Sequence, residues 1–365
     1  MKKIVIDARE FGGTGGGTYL KHLLQKLQEI DNNHKYVVLL KPKDMDSWKP
    51  VNRKFEKLQC NYKEFTFAEQ IGLFKQLRSL KADLVHFPMT QQPVLYRGKV
   101  VTTINDLTTV RFRNPSKNWL IFTIKRWVYK WVALVAARKS KALLTYTEFV
   151  KNDVAKFAHV NSRKITVTYL AADKITEEPR PVENLENVQF IMYVGRPQPH
   201  KNLDRLVEAF TLIKQTHPEL KLVLAGKKDV LYRRIATKIK YRKIPDIIFT
   251  GFVDEGQLRW LYEHTACYVF PSLSEGFGLP GLEAMNHGAP VVSSNATCLP
   301  EVYGDAAEYF DPLNVEEMAQ AIAKVIDKPK RRDELVALGK KQANKYSWQR
   351  MAEQTLAVYK EALGD

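Results

Sequence analysis

Short runs rich in Val, Ile and Leu recur along this chain, each followed by a stretch of helical periodicity, and the whole series occurs twice. The first set occupies residues 4–7, 36–40, 83–87, 100–104, 142–147 and 165–170; the second occupies 190–195, 222–226, 247–252, 267–271 and 290–293. Strands separated by helices assemble as parallel sheets wrapped by helices on both faces. A polar, proline-bearing stretch at 172–188 divides the sets and reads as a linker. At 365 residues the chain also exceeds one ordinary core. The expectation is therefore an α/β protein of two Rossmann-like, doubly wound domains, residues 1–175 and 189–346. Such domains bind ligands at the carboxyl ends of their strands, and facing lobes place a natural site in a central cleft.

Composition narrows the function. Hydrophobic residues at 45% and aromatics at 11% are globular values. Cys60, Cys267 and Cys298 are far apart, without the spacing of a zinc site or a disulfide scaffold. Only three apolar residues separate Met1-Lys2-Lys3 from Asp7, too few for a signal peptide, and no uncharged apolar run is long enough to span a bilayer. A cytoplasmic location is expected. The net charge of +17 lies wholly in the first half, where residues 1–180 hold 33 Lys and Arg against 16 Asp and Glu. Nucleic acid, an acidic lipid leaflet and a phosphorylated substrate are the anionic partners that such a half could meet, and simple solubility is the other reading. Nucleic acid is disfavoured, because the aromatics sit in apolar segments rather than among basic strand residues and no reader motif appears.

Within the basic half, residues 117–139 form a helix-like stretch. Thr123, Arg126 and Lys130 share a narrow stripe, while Leu120, Ile124, Trp127, Val128 and Trp131 make a broad apolar face. Two readings fit: a helix packed in the first core, or a basic, tryptophan-bearing helix lying on an anionic membrane.

Three motifs carry chemistry. Residues 12–17 hold five glycines directly after the first strand, a turn whose backbone can approach phosphate; the run matches neither a P-loop, which would need Lys at Thr18, nor G-x-G-x-x-G. "VGRPQPHKNL" sets Arg196 and Lys201 beside a helix start, where two cations can hold a diphosphate. "SEGFGLPGLEAM" puts Glu275 before a glycine turn and Glu283 inside the following short helix, so both carboxylates can face one hydroxyl-rich ligand.

The E-G-F-G-L-P-x-L-E-A-M pattern, with G-x-P-V-V and "LPEV" after it, resembles the donor-binding signature of retaining glycosyltransferase family 4. "VIDAR", "DLVHFP", "VTTINDL", "FTGFVDEGQL" and "YSWQRMAEQTLAVYKEAL" extend the likeness along nearly the whole chain. The resemblance implies a GT-B fold, with an acceptor-binding first domain, a nucleotide-sugar-binding second domain, and a closing helix at about 347–365 that crosses back to the first. It implies that Arg196 and Lys201 hold the diphosphate, that Glu283 binds the ribose, and that Glu275 engages the transferred sugar with the backbone of Gly276, Phe277, Gly278 and Leu279. Gly15, Gly16 and Gly17 would approach the same phosphates, and Phe252 and Val253 would line the base pocket. No metal or other cofactor is implied. Family members commonly carry His-Asp where this chain has Asn105-Asp106, and an amide cannot become a cation or shuttle protons.

The activity implied is retaining, metal-independent transfer of mannose or another hexose from a GDP- or UDP-sugar. The acceptor would be a glycan or a polyprenyl-diphosphate-linked glycan of the cell envelope; the basic first half and the 117–139 stretch add the expectation of peripheral binding to anionic lipid at the inner face of the membrane. A weakly active sugar-nucleotide binder and a GT-B epimerase or phosphorylase are the alternatives.

Overall fold

The computed structural model describes residues 1–13, 15–112 and 119–365, with the backbone alone for 119–122. The chain forms two compact units: residues 1–110, 123–170 and 347–365 make the first, and residues 111–122 and 171–346 the second.

The first unit is built on seven strands: β1 (Lys3–Asp7), β2 (Lys35–Leu40), β3 (Phe55–Gln59), β4 (Leu84–Phe87), β5 (Val100–Thr103), β6 (Ala142–Thr145) and β7 (Ile165–Val167). Their order is β3-β2-β1-β4-β5-β6-β7, and every pairing is parallel. Val5 sits between Val37 and Val85 in register, which stacks apolar side chains across the centre of the sheet. Nearly continuous burial of β1, β2, β4 and β5 is what helices on both faces require. The closing helix, Trp348–Leu363, belongs to this unit and packs on helix Gly15–Ile30. Its Tyr359 hydroxyl lies 2.6 Å from Nδ1 of the fully buried His86, whose Nε2 is 2.8 Å from Thr103 Oγ1. Burial pushes the His86 ring down to about 3.

The second unit carries β8 (Phe190–Val194), β9 (Lys221–Ala225), β10 (Ile247–Gly251), β11 (Cys267–Phe270), β12 (Val291–Ser294) and β13 (Ala307–Phe310), ordered β10-β9-β8-β11-β12-β13 and again all parallel. All three cysteines are buried and free.

Two strands were not expected from the sequence. β3 (FEKLQ) and β13 (AEYF) are edge strands with one open side, so their runs mix charged and apolar residues and lack the Val/Ile/Leu density that marks the central strands.

The helix Trp119–Lys139 also departs from its core-packing reading. Its C-terminal part is anchored by Val132, Ala133, Ala136 and Ala137, all buried, but Ile124, Trp127, Val128 and Trp131 before them are exposed. Residue 117 and the side chain of Leu120 lie outside the described residues.

Candidate active site

In the second unit the strand order reverses between β8 and β11, so the loops leaving those strands diverge and open a crevice at their carboxyl ends. After β8 the chain passes Arg196, makes a 3-10 turn at Pro199–Lys201 and enters helix Leu203–Ile213, whose Leu203, Leu206, Val207 and Phe210 are buried on one face. The Asn202 amide donates to the carbonyls of Pro271 at 3.0 Å and Pro312 at 2.7 Å, and the Leu273 N–H donates to the His200 carbonyl at 2.7 Å. These bonds fasten the loop after β8 to the loops after β11 and β13. Lys201 Nζ consequently meets Glu275 Oε1 at 2.5 Å, and the same ammonium stands 5.5 Å over the Phe270 ring.

Glu275 is itself fixed through its backbone: its N–H donates to Thr297 Oγ1 at 3.1 Å and its carbonyl accepts from the Cys298 thiol at 3.3 Å. The next turn depends on glycine. Gly278 adopts φ +96°, and a Cβ there would stand 2.5 Å from the Tyr303 hydroxyl, which donates to the Gly278 carbonyl at 2.6 Å. Phe277 turns inward and packs edge-on against Tyr346 at 5.5 Å, so its role in the turn is anchorage. Helix Leu279–Asn286 begins there with Pro280 in its first turn, so its positive dipole end follows Glu275, the partner of Lys201, by one short turn of chain.

Glu283 sits one turn into that helix. The residue keeps some exposed surface, yet burial of its carboxyl pushes it up to about 7, with Tyr262 at 3.4 Å opposing the shift and the charges of Asp173 and Glu255 adding to it. Arg196 is largely exposed and pairs with Asp229 at 2.7 Å. Asp229 also caps helix Val230–Tyr241, accepting from Leu231 and Tyr232 N–H; although burial would raise its carboxyl, Arg196 and these two N–H groups hold it below the ordinary range. Phe252, 78% exposed, and the half-buried Val253 follow β10 at the same end of the sheet.

The first unit reverses its order between β1 and β4. Its glycine turn splits into two roles. A Cβ on Gly17 would lie 2.7 Å from the Phe11 carbonyl oxygen, so packing alone demands glycine at this buried position. Gly15 and Gly16 open helix Gly15–Ile30 with nothing among the described residues within 4 Å of a would-be Cβ. Asn105 and Asp106, after β5, line a cavity of about 360 Å³ together with Glu10, Glu64, Gln91 and Tyr129. Asp106 accepts from Thr108 N–H at 2.7 Å, which leaves it mostly capping its own turn. Asn105 Oδ1 and Gln91 Oε1 are buried acceptors without a hydrogen-bond partner among the described residues, a wall that suits hydroxyl donors.

Gln91 is held from below. Its amide donates to Glu69 at 3.1 Å, and Glu69 shares the buried Arg9 guanidinium with Asp7 at 2.8 and 2.7 Å. Burial disfavours the Arg9 charge, but these carboxylates outweigh it and raise the guanidinium further. Neither Gln91 nor this triad was foreseen; the one signal was a charged pair, Asp7 and Arg9, directly after a buried strand. Asp229 and Tyr303 were missed as well, though an Asp before a helical stretch is a legible cap. The chain's one D-x-D triplet, Asp44-Met45-Asp46, lies after β2 with Asp44 buried and Asp46 exposed, and no three metal-ligating side chains are grouped among the described residues.

Two family models match: "Glycosyltransferase Family 4" over residues 13–174 and "Glycosyl transferases group 1" over residues 174–342. The O-antigen chain mannosyltransferase B of Escherichia coli is 32% identical over 234 residues, a stretch covering 60% of this chain and 61% of that relative. The sucrose-phosphate synthase of Thermosynechococcus elongatus superposes with a TM-score of 0.76 at 16% identity, covering 100% of both chains. HepE of Anabaena, solved with UDP and glucose, gives 0.74 at 16% identity, covering 98% of this chain and 99% of that one.

Proposed function

The chain belongs to the glycosyltransferases that join a family 4 domain to a group 1 domain in a GT-B fold, and from that premise we propose that it transfers mannose from a nucleoside-diphosphate sugar to a cell-envelope glycan. The observation that carries this reading is the Lys201–Glu275 pair at the mouth of helix Leu279–Asn286, with Arg196 on the same rim of β-strand ends. A guanidinium, an ammonium and a helix N-terminus together suit a diphosphate that gains charge as it leaves. The mannose assignment draws on the name of the E. coli relative.

The acceptor hydroxyl attacks the anomeric carbon on the face from which the diphosphate departs. The new C–O bond forms as the old one breaks, the bonding pair leaves on the diphosphate oxygen, and that oxygen takes the acceptor's proton, so configuration is retained. Arg196 and Lys201 stabilise the departing charge in place of a metal ion. Glu275 and the Gly276–Leu279 backbone orient the sugar, Glu283 holds the ribose hydroxyls, and Phe252 and Val253 flank the base. Asn105 offers an amide to the sugar without moving a proton. Gly15 and Gly16 bring bare backbone to the phosphates. The acceptor is a glycan carried on a polyprenyl diphosphate, met at the inner face of an anionic membrane.

The test is thermal shift with GDP- and UDP-sugars followed by transfer to oligosaccharide acceptors with and without EDTA. A donor at about 100 times its dissociation constant stabilises the fold by about 2.7 kcal/mol. Product anomers read by NMR decide retention. A protein that no nucleotide sugar stabilises refutes the proposal, and turnover abolished by EDTA removes the metal-free mechanism.

A further inference from the structure

Ile124, Trp127, Val128 and Trp131 fall at i, i+3, i+4 and i+7, the spacing of a helix face built to be buried, yet all four are exposed, Trp127 to 68%. Phe65, Phe67 and Ile71 continue the patch, and Phe67 is 89% exposed. The two segments meet where the Phe65 and Tyr129 rings approach to 6.2 Å. So large an exposed apolar face is uncommon unless it contacts something.

Charge identifies the contact. Lys125, Arg126 and Lys130 stand exposed on the same two helical turns, and the Lys130 ammonium lies 5.8 Å over the Trp127 ring. This part of the helix belongs to the stretch, residues 1–180, that holds the chain's whole positive excess. Indoles ringed by ammonium and guanidinium groups match the interface of an anionic bilayer, where rings sit among headgroups and cations above them.

We propose that this face, helix residues 124–131 with the 65–71 segment, docks the protein on anionic lipid. This inference deepens the proposed function and rests on it in one respect: Phe65 and Tyr129 also line the cavity holding Asn105 and Asp106, so docking sets the mouth of that cavity at the surface where a lipid-linked acceptor resides. No helix is long and apolar enough to cross a membrane among the described residues, so the face accounts for attachment by lying on the surface.

The full chain is sedimented with vesicles of phosphatidylglycerol and phosphatidylcholine, or of phosphatidylcholine alone, at low salt and at about 0.5 M salt. Partitioning onto the anionic vesicles is about ten-fold or more stronger at low salt and falls at high salt. W127S/W131S and K125E/K130E each lower it by about ten-fold or more while keeping the melting temperature, since all four side chains are exposed. Y241S, an exposed aromatic on the second unit, leaves it unchanged. Lipids brominated in the acyl chain quench wild-type tryptophan fluorescence, and this quenching is lost in W127S/W131S. Equal partitioning onto both vesicle types, or variants that bind as wild type, overturns the proposal. So does a second copy seated on the stripe, seen as a dimer that W127S/W131S dissociates without any vesicle binding. Sedimentation requires no turnover: a chain that docks but transfers no sugar refutes the transferase reading alone, and one that transfers sugar but ignores vesicles refutes docking alone.

Discussion

If the Glu283 carboxylate accepts hydrogen bonds from ribose hydroxyls, nucleotide affinity must depend on its ionisation. Its folded value stands at about 7 because the carboxyl is buried, and a ribose, which donates, favours the charged form. When only the ionised form binds, the apparent Kd grows by the factor 1 + 10^(pKa − pH). Relative to pH 8, the nucleoside diphosphate then binds roughly two-fold more weakly at pH 7 and about ten-fold more weakly at pH 6, or about 1.4 kcal/mol. Glu283→Gln removes the ionisation. The diphosphate's own titration affects wild type and variant alike, so the informative quantity is the ratio of their Kd values, measured by calorimetry between pH 6 and pH 8 in buffers of different ionisation heat. Wild-type binding at pH 7 releases a further half proton, approximately, that the variant does not. A Kd ratio constant over that range refutes the assignment. Stability offers an independent check. A carboxyl raised on folding contributes stability that is complete below its unfolded value and lost as pH rises through about 7. Glu283→Gln is therefore more stable than wild type at pH 8 by about 2 to 4 kcal/mol, and equal to it near pH 4.

Arg196→Ala and Lys201→Ala each cost about 2 to 4 kcal/mol of transition-state stabilisation, a 30- to 1,000-fold loss in kcat/KM with the fold intact, and unchanged turnover refutes their role. Gly17→Ala forces a Cβ against the Phe11 carbonyl and lowers the melting temperature, whereas Gly15→Ala and Gly16→Ala keep it, or raise it through helix propensity, and weaken donor binding; equal stability effects at all three positions refute the division of roles. Tyr359→Phe removes the bond to buried His86 and destabilises by about 1 to 3 kcal/mol in urea unfolding, and no change there means that the bond contributes nothing net.

Much of this protein was legible before any fold was known. Val, Ile and Leu runs mark strands buried on both faces, because a parallel sheet covered by helices leaves no room for polar alternation; β1, β4, β8 and β11 were read on that basis. The Gly276–Leu279 turn was legible too, since Gly278 at φ +96° and Pro280 in a first turn are local demands that local sequence must meet. β3 and β13 were not legible, because FEKLQ and AEYF mix charged with apolar residues, and only their pairing with β2 and β12 makes strands of them.

The same division runs through the site. Residue types and spacing along single loops singled out Arg196, Lys201, Glu275 and Glu283. Only tertiary packing decided that Lys201 and Glu275, 74 positions apart, touch, that Arg196 is held by Asp229, and that Gly17 is buried while Gly15 and Gly16 face open space. It decided equally that the stripe at 124–131 stays uncovered, which helical periodicity cannot reveal: the same spacing serves a core and a membrane, and exposure depends on what the rest of the chain brings beside it.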